Sequence, residues 1–159
     1  MTDNDTWPVA AFDTVRQLRV IAAATPGAVI HETVLPAPLE TVWDVAADLE
    51  DELAHWLLPD IRAVRITDHD HDRLTARMIG YSGLRARFDV VLRPGWCVMQ
   101  SRYLLGGMAA TTEQAGTRFA FLGGLRGPLR LMNPVLTPFS RSSGAHALDR
   151  FTTRVEARL

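Results

Sequence analysis

Hydrophobic and polar positions along this chain change period twice. Ala11, Val15, Leu18 and Ala22 recur at helical spacing, with Phe12 and Ile21 beside them. Thr6-Trp7-Pro8 supplies a start signal and Thr25-Pro26-Gly27 a stop. The pattern predicts an amphipathic N-terminal helix that packs outside the main sheet or against a partner chain. Val29 to Leu35 then reads as a strand closed by Pro36-Ala37-Pro38, followed by two short helices over about 39–48 and 51–57. From Ile61 the period falls to two. Strands are predicted over 61–67, 73–79, 84–92, 96–104, 108–112 and 117–122, separated by turn-like runs that include Gly80-Tyr-Ser-Gly83, Arg93-Pro-Gly95, Gly106-Gly107 and Gly123-Gly124. Loops this short join consecutive strands as antiparallel hairpins.

The period returns to 3.6 in the last thirty residues. Asn133-Pro134 and Thr137-Pro138 each offer an N-cap residue followed by proline at the first helical position, so a long helix starts at one of them and runs to the end. On a helical wheel one stripe gathers Thr137, Ser140, Arg141, Gly144, Leu148, Phe151, Val155 and Leu159. Its lower half is ordinary core. Its upper half is small or polar, and Gly144 costs about 1 kcal/mol relative to Ala in a helix interior. That half either kinks toward solvent or roofs a cavity. A one-sided antiparallel sheet must bury its apolar face, and the last helix is the element sized to cover it. The expected fold class is α+β, a curved meander of about seven strands wrapped around a long C-terminal helix. Two short helices follow the first strand, and an extra helix precedes it.

Strand alternation predicts the lining. Leu84, Ala86, Phe88, Val90 and Leu92 share one face, opposite Arg85, Arg87, Asp89 and Arg93. Leu74, Ala76 and Met78 alternate with Arg73, Thr75 and Arg77, and Phe119 and Phe121 with Arg118. In 96–103 both phases carry polar residues; Cys97, Met99, Ser101 and Tyr103 are placed inward because the other phase buries an arginine. The inner face is rich in Ala and Met, which suits either a close-packed core or one left partly hollow.

Composition narrows the chemistry. All 17 basic residues are arginine, so lysine nucleophiles and Schiff bases are excluded. The net charge of −1 gives no global pull toward nucleic acid, and the outward arginine row lacks interleaved exposed aromatics, so a solvated sheet face is expected. A single cysteine, Cys97, excludes an internal disulfide and a multi-cysteine metal site. The N-terminus has no signal-peptide character and no apolar run reaches 18 residues, so a cytoplasmic chain without an integral membrane segment is expected. Asp68-His-Asp-His-Asp72 alternates carboxylate and imidazole, but on a strand successive ligands point to opposite sides, and a solvated turn is expected rather than a metal site. Glu32, Asp44, His55 and His146 are the candidate acid–base groups; His146 falls opposite the apolar stripe, and none has a partner at diagnostic spacing. Nucleophile-elbow, zincin and P-loop motifs are missing.

Residues His31-Glu-Thr-Val-Leu-Pro-Ala-Pro-Leu-Glu-Thr-Val-Trp43-Asp-Val resemble the opening of the START-like, or SRPBCC, helix-grip superfamily, which includes polyketide cyclase/dehydrase-like proteins. Trp56-x-x-Pro59 before a strand, and Gly116-Thr-Arg118 before a strand, a glycine-rich stretch and a terminal helix, are similar to later segments of that superfamily. The resemblance covers 28–159, leaving 1–27 as a tail and extra helix. It implies a hydrophobic cavity between sheet and long helix, used for lipids, polyketides or other apolar small molecules, and needs no cofactor.

The expected function is therefore to hold a small hydrophobic molecule, as carrier or sensor. The alternatives are a polyketide aromatase/cyclase- or dehydratase-like enzyme and a protein-interaction module, and a homodimer is possible. The expected ligand-binding residues are Trp56, Met78, Tyr81, Phe88, Met99, Tyr103, Met108, Phe121, Ser140, Arg141 and Gly144. Tyr81, Tyr103 or Arg141 would orient a polar end group, with the Gly123–Gly127 stretch and the Trp56 segment as gates.

Overall fold

The computed structural model describes residues 13–57 and 60–159, apart from the side chains of 133, 134 and 136–140. Helix α1 (Thr14–Ala24) is capped by Asp13, whose carboxylate accepts from the Arg16 amide at 2.8 Å. Strand β1 (Val29–Leu35) leads to α2 (Leu39–Ala47) and the single turn α3 (Leu53–Trp56). Six strands follow: β2 (Ile61–Asp70), β3 (Arg73–Gly80), β4 (Arg85–Arg93), β5 (Trp96–Gln100), β6 (Leu104–Glu113) and β7 (Gly116–Leu125). A 3-10 segment, Gly127–Met132, enters α4 (Asn133–Glu156). The strands form one antiparallel sheet in the order β1-β7-β6-β5-β4-β3-β2, so β1 closes the meander against its last strand. The candidate N-terminal start signal and Phe12 lie outside the described residues.

Each face of the sheet has its own apolar cluster. On the inner face Phe88, Val90, Cys97, Met99, Met108, Ala110, Phe119 and Phe121 pack against α2, α3 and the Ala147–Val155 part of α4. The inward phase expected for Cys97 and Met99 holds, and burial pushes the Cys97 thiol up to about 12. On the outer face Val15 and Leu18 of α1 cover Leu105, Ala109, Ala120 and Leu122. Gly107 makes room for that helix: a Cβ there would stand 2.7 Å from a Leu18 methyl. Glu32 also points outward, to Arg19 of α1 at 2.5 and 2.7 Å. The Arg19 hydrogen bond holds its carboxyl below the usual carboxylate range, against burial.

Glycines mislead the sequence reading at one end of the sheet. Gly106-Gly107 and Gly123-Gly124 lie inside strands, where Gly106 pairs with Gly123 and Leu105 with Gly124. The hairpin falls instead at 101–103. There the Ser101 hydroxyl accepts from the Tyr103 and Leu104 amides at 3.3 and 3.0 Å, and the Ser101 amide donates to the Leu104 carbonyl. A side-chain acceptor can close a turn that composition assigns to glycine. At Gly116 a glycine is required. It sits at φ 133°, and a Cβ would lie 2.1 Å from the Leu35 carbonyl oxygen.

The aspartate–histidine run forms the end of β2 and a two-residue turn at His71-Asp72. His71 adopts φ 53° and its Nδ1 meets the Asp70 carboxylate at 2.6 Å. Among the described residues no cluster of three or more His, Cys, Asp or Glu side chains could hold a metal ion.

Candidate functional site

The inner face of the sheet is filled unequally. Toward the C-terminal end of α4 it is solid. Trp56, Phe119 and Phe151 are wholly buried; Phe119 stacks on Phe151 at 4.0 Å, and Trp56 meets Phe119, Phe121 and Phe151 edge-on at 5.9, 5.7 and 4.9 Å. Among the described residues the Trp56 indole N–H has no hydrogen-bond partner, so its ring is held by packing.

Two arginines of α4 and Arg158 just beyond its end clamp this packed end from outside. Arg150 donates to the Trp56 and Leu57 carbonyls at 3.0 and 3.3 Å. Arg154 forks onto Glu52 at 2.6 and 3.0 Å, and Arg158 reaches the same carboxylate at 2.8 Å. Glu52 is 5% exposed. The Arg154 hydrogen bond holds its carboxyl below the usual range; burial opposes the shift and Arg158 reinforces it.

Toward the other end of α4 the interior opens into a cavity of ≈ 290 Å³. Its walls are Met78, Phe88, Met99 and Phe121, and Leu57 closes one side. The roof is Ser143, Gly144 and Ala147 of α4, and the floor runs over Gly106 and Gly123 to Leu104 and Leu125. The space has two origins. Roof residues are small, and the floor lacks side chains where Gly106 faces Gly123 across β6 and β7. A Cβ built on Gly123 would meet nothing within 4 Å. The volume suits a small ligand, near the lower end of the range for pockets of this kind.

Among the described residues two polar side chains line this space, His31 and Ser143. His31 is carried inward by β1 in phase with Val29 and Leu35, and its ring stacks on Phe121 at 5.2 Å and 23°. It fills the notch left by Gly144: a Cβ there would lie 2.0 Å from His31 Nε2. Gly144 therefore admits the imidazole to the roof as well as thinning the helix. Alternation in β1 signals His31, since Val29, His31 and Leu35 share a phase, but the sequence reading weighed its neighbour Glu32 instead.

The expected ligand-binding residues divide clearly. Met78, Phe88, Met99, Phe121 and Gly144 are brought together around the cavity. Trp56 and Met108 are buried in the packed core instead. Tyr81 is 73% exposed at the β3–β4 hairpin tip, and Tyr103 lies in the β5–β6 turn with Arg102 over its ring at 5.3 Å. Neither lines the cavity. Arg141 is exposed, because the buried stripe of α4 centres on Ala147 and a residue six positions earlier falls about 120° away. The Ser140 side chain lies outside those described. Of the acid–base candidates, Asp44, His55 and His146 are exposed, and Glu32 is engaged on the outer face.

No family model and no curated protein sequence matches this chain. Solved structures do. The protein TTHA0849 from Thermus thermophilus superposes with a TM-score of 0.61 at 19% identity, over 82% of this chain and 98% of that one. The Zhui aromatase/cyclase from Streptomyces sp. R1128 gives 0.61 at 16%, over 82% and 94%. The di-domain ARO/CYC StfQ from the steffimycin biosynthetic pathway gives 0.66 at 10%, over 91% of this chain and 55% of that one. At these identities the likeness is one of fold, the helix-grip arrangement of a curved seven-stranded antiparallel sheet with a C-terminal helix.

Proposed function

We propose that the protein binds an apolar small molecule, of the size of a short lipid or a small polyketide, between the sheet and α4. One observation carries this reading: the sheet and helix leave ≈ 290 Å³ lined by Met, Phe, Leu and bare glycine, with His31 and Ser143 as the polar side chains among the described residues. Burial of ligand surface supplies affinity at about 25 cal/mol per Å² before ordering costs. The two methionines adapt to more than one ligand shape.

The test is a fluorescent apolar probe titrated into wild type and Gly123→Val, with native mass spectrometry of the purified protein for bound small molecules. Valine at 123 projects into open floor and suits a strand, so the variant keeps its stability while probe affinity falls at least about tenfold. Equal affinity in the two proteins removes the cavity from the account.

A second reading, an aromatase/cyclase-like enzyme, is favoured by His31 alone, an acid–base group in the cavity wall. The aromatase/cyclases among the fold neighbours support it. It predicts that a ligand released from the protein changes mass on incubation, and that His31→Gln stops the change while binding persists. A ligand that leaves unaltered identifies a carrier or sensor.

A further inference from the structure

The surface beside the cavity opening combines exposed apolar side chains with arginines. Leu131 is 82% exposed, Val135 77% and Met132 48%, all on the 3-10 segment and the first turn of α4 that follow the floor strand β7. Leu104, 40% exposed, belongs to the floor itself. The 101–103 turn joins this surface through Arg126, whose amide donates to the Tyr103 carbonyl at 2.8 Å and whose guanidinium reaches the Ser101 carbonyl at 3.0 Å.

Charge on this surface has one sign. The sequence has no acidic residue between Glu113 and Asp149. Arg126 precedes the 3-10 segment and Arg130 lies within it, Arg102 stands on the adjoining turn and Arg141 follows on α4. Among the described residues none of these four pairs with a carboxylate. An overall charge of −1 thus conceals a local cationic surface.

We infer that this surface docks on an anionic membrane, with Leu131, Met132 and Val135 entering the interface and the arginines meeting lipid phosphates. Exposed aliphatic side chains on a segment whose charged residues are all arginine suit the boundary between headgroups and acyl chains. Docking there sets the Leu104 and Leu125 end of the cavity toward the bilayer, so an apolar ligand could pass without crossing water. This purpose rests on the cavity reading; the docking itself does not.

The experiment is co-sedimentation of the full chain with vesicles of phosphatidylcholine, and with vesicles in which about one third is phosphatidylglycerol. Expected is pelleting with the anionic vesicles that weakens as salt rises. Each of Arg130→Ser and Arg141→Ser lowers the partition constant about fivefold, the equivalent of about 1 kcal/mol per arginine at the surface. Leu131→Ser with Val135→Ser lowers it further, and Leu84→Ser, at the exposed β3–β4 tip, leaves it unchanged. Unchanged circular dichroism establishes that these surface variants fold. No pelleting overturns the proposal, as does equal loss from Leu84→Ser. Pelleting indifferent to the four named substitutions also overturns it. So does the finding that the surface captures an acidic protein but no vesicle. Probe titration in vesicle-free solution separates the two ideas: vesicle binding without probe binding sinks the cavity alone, and the reverse sinks the docking alone.

Discussion

Gly144 and His31 are one unit split between a helix and a strand. A glycine in a helix interior ordinarily gains about 1 kcal/mol on replacement by alanine. Here the added methyl would collide with His31 Nε2, and the imidazole is held against Phe121. Gly144→Ala should therefore destabilise the protein by about 1–3 kcal/mol, the usual scale of overpacking. In a His31→Ala background the same change should become neutral or stabilising. A double-mutant cycle by urea unfolding reads this reversal of sign, and an unchanged sign in the two backgrounds would remove the contact from the account. The contrast with Gly123 is physical: one glycine leaves space that a ligand can use, the other leaves space that a neighbouring side chain already uses.

At the scale of elements, α4 has two halves held by different means. The half from Ala147 to Val155 packs on aromatic rings and is locked to α3 through Arg150, Arg154 and Arg158. Glu52→Gln keeps the shape and removes the charge. It should cost about 1–2 kcal/mol at pH 7, the low end for a charged hydrogen-bonded cluster because its two arginines are partly exposed and screened. The pH dependence follows from the sign of the shift. Glu52 titrates lower in the folded than in the unfolded chain, so its contribution is fully present above the ordinary carboxylate value of about 4.3 and is lost as pH falls through the lower folded value. Urea unfolding of wild type and variant should show a gap at pH 7 that narrows on acidification below about pH 4. A gap independent of pH would mean that shape, rather than charge, is what Glu52 supplies.

At the scale of the whole molecule, the sheet is a shared wall between two environments. α1 covers one face and the cavity opens on the other, so stability and binding should separate. Leu18→Ala removes a wholly buried side chain seated over Gly107 and should cost about 2–4 kcal/mol. Probe affinity measured well below the lowered melting temperature should stay within about twofold of wild type, since the cavity lies across the sheet. A large loss of affinity at full folding would show that the two faces are coupled. Among the described residues no helix is long and apolar enough to cross a membrane.

The order of elements, the antiparallel meander, the covering role of the last helix and the inward phase of Phe88, Met99 and Phe121 could all be read from the sequence, because period and turn chemistry are local properties. Two further kinds of fact depend on neighbours distant in sequence. Gly106-Gly107 and Gly123-Gly124 read as loops because glycine is a local breaker; only strand pairing across β6 and β7, with α1 on one side and open space on the other, makes them sheet. The partners of Glu52 lie about a hundred residues away, and His31 meets Gly144 only because β1 closes the meander beneath α4. Periodicity decides which way a side chain points. The closing of the sheet decides what it meets there, and so whether the upper half of α4 covers a core or a cavity.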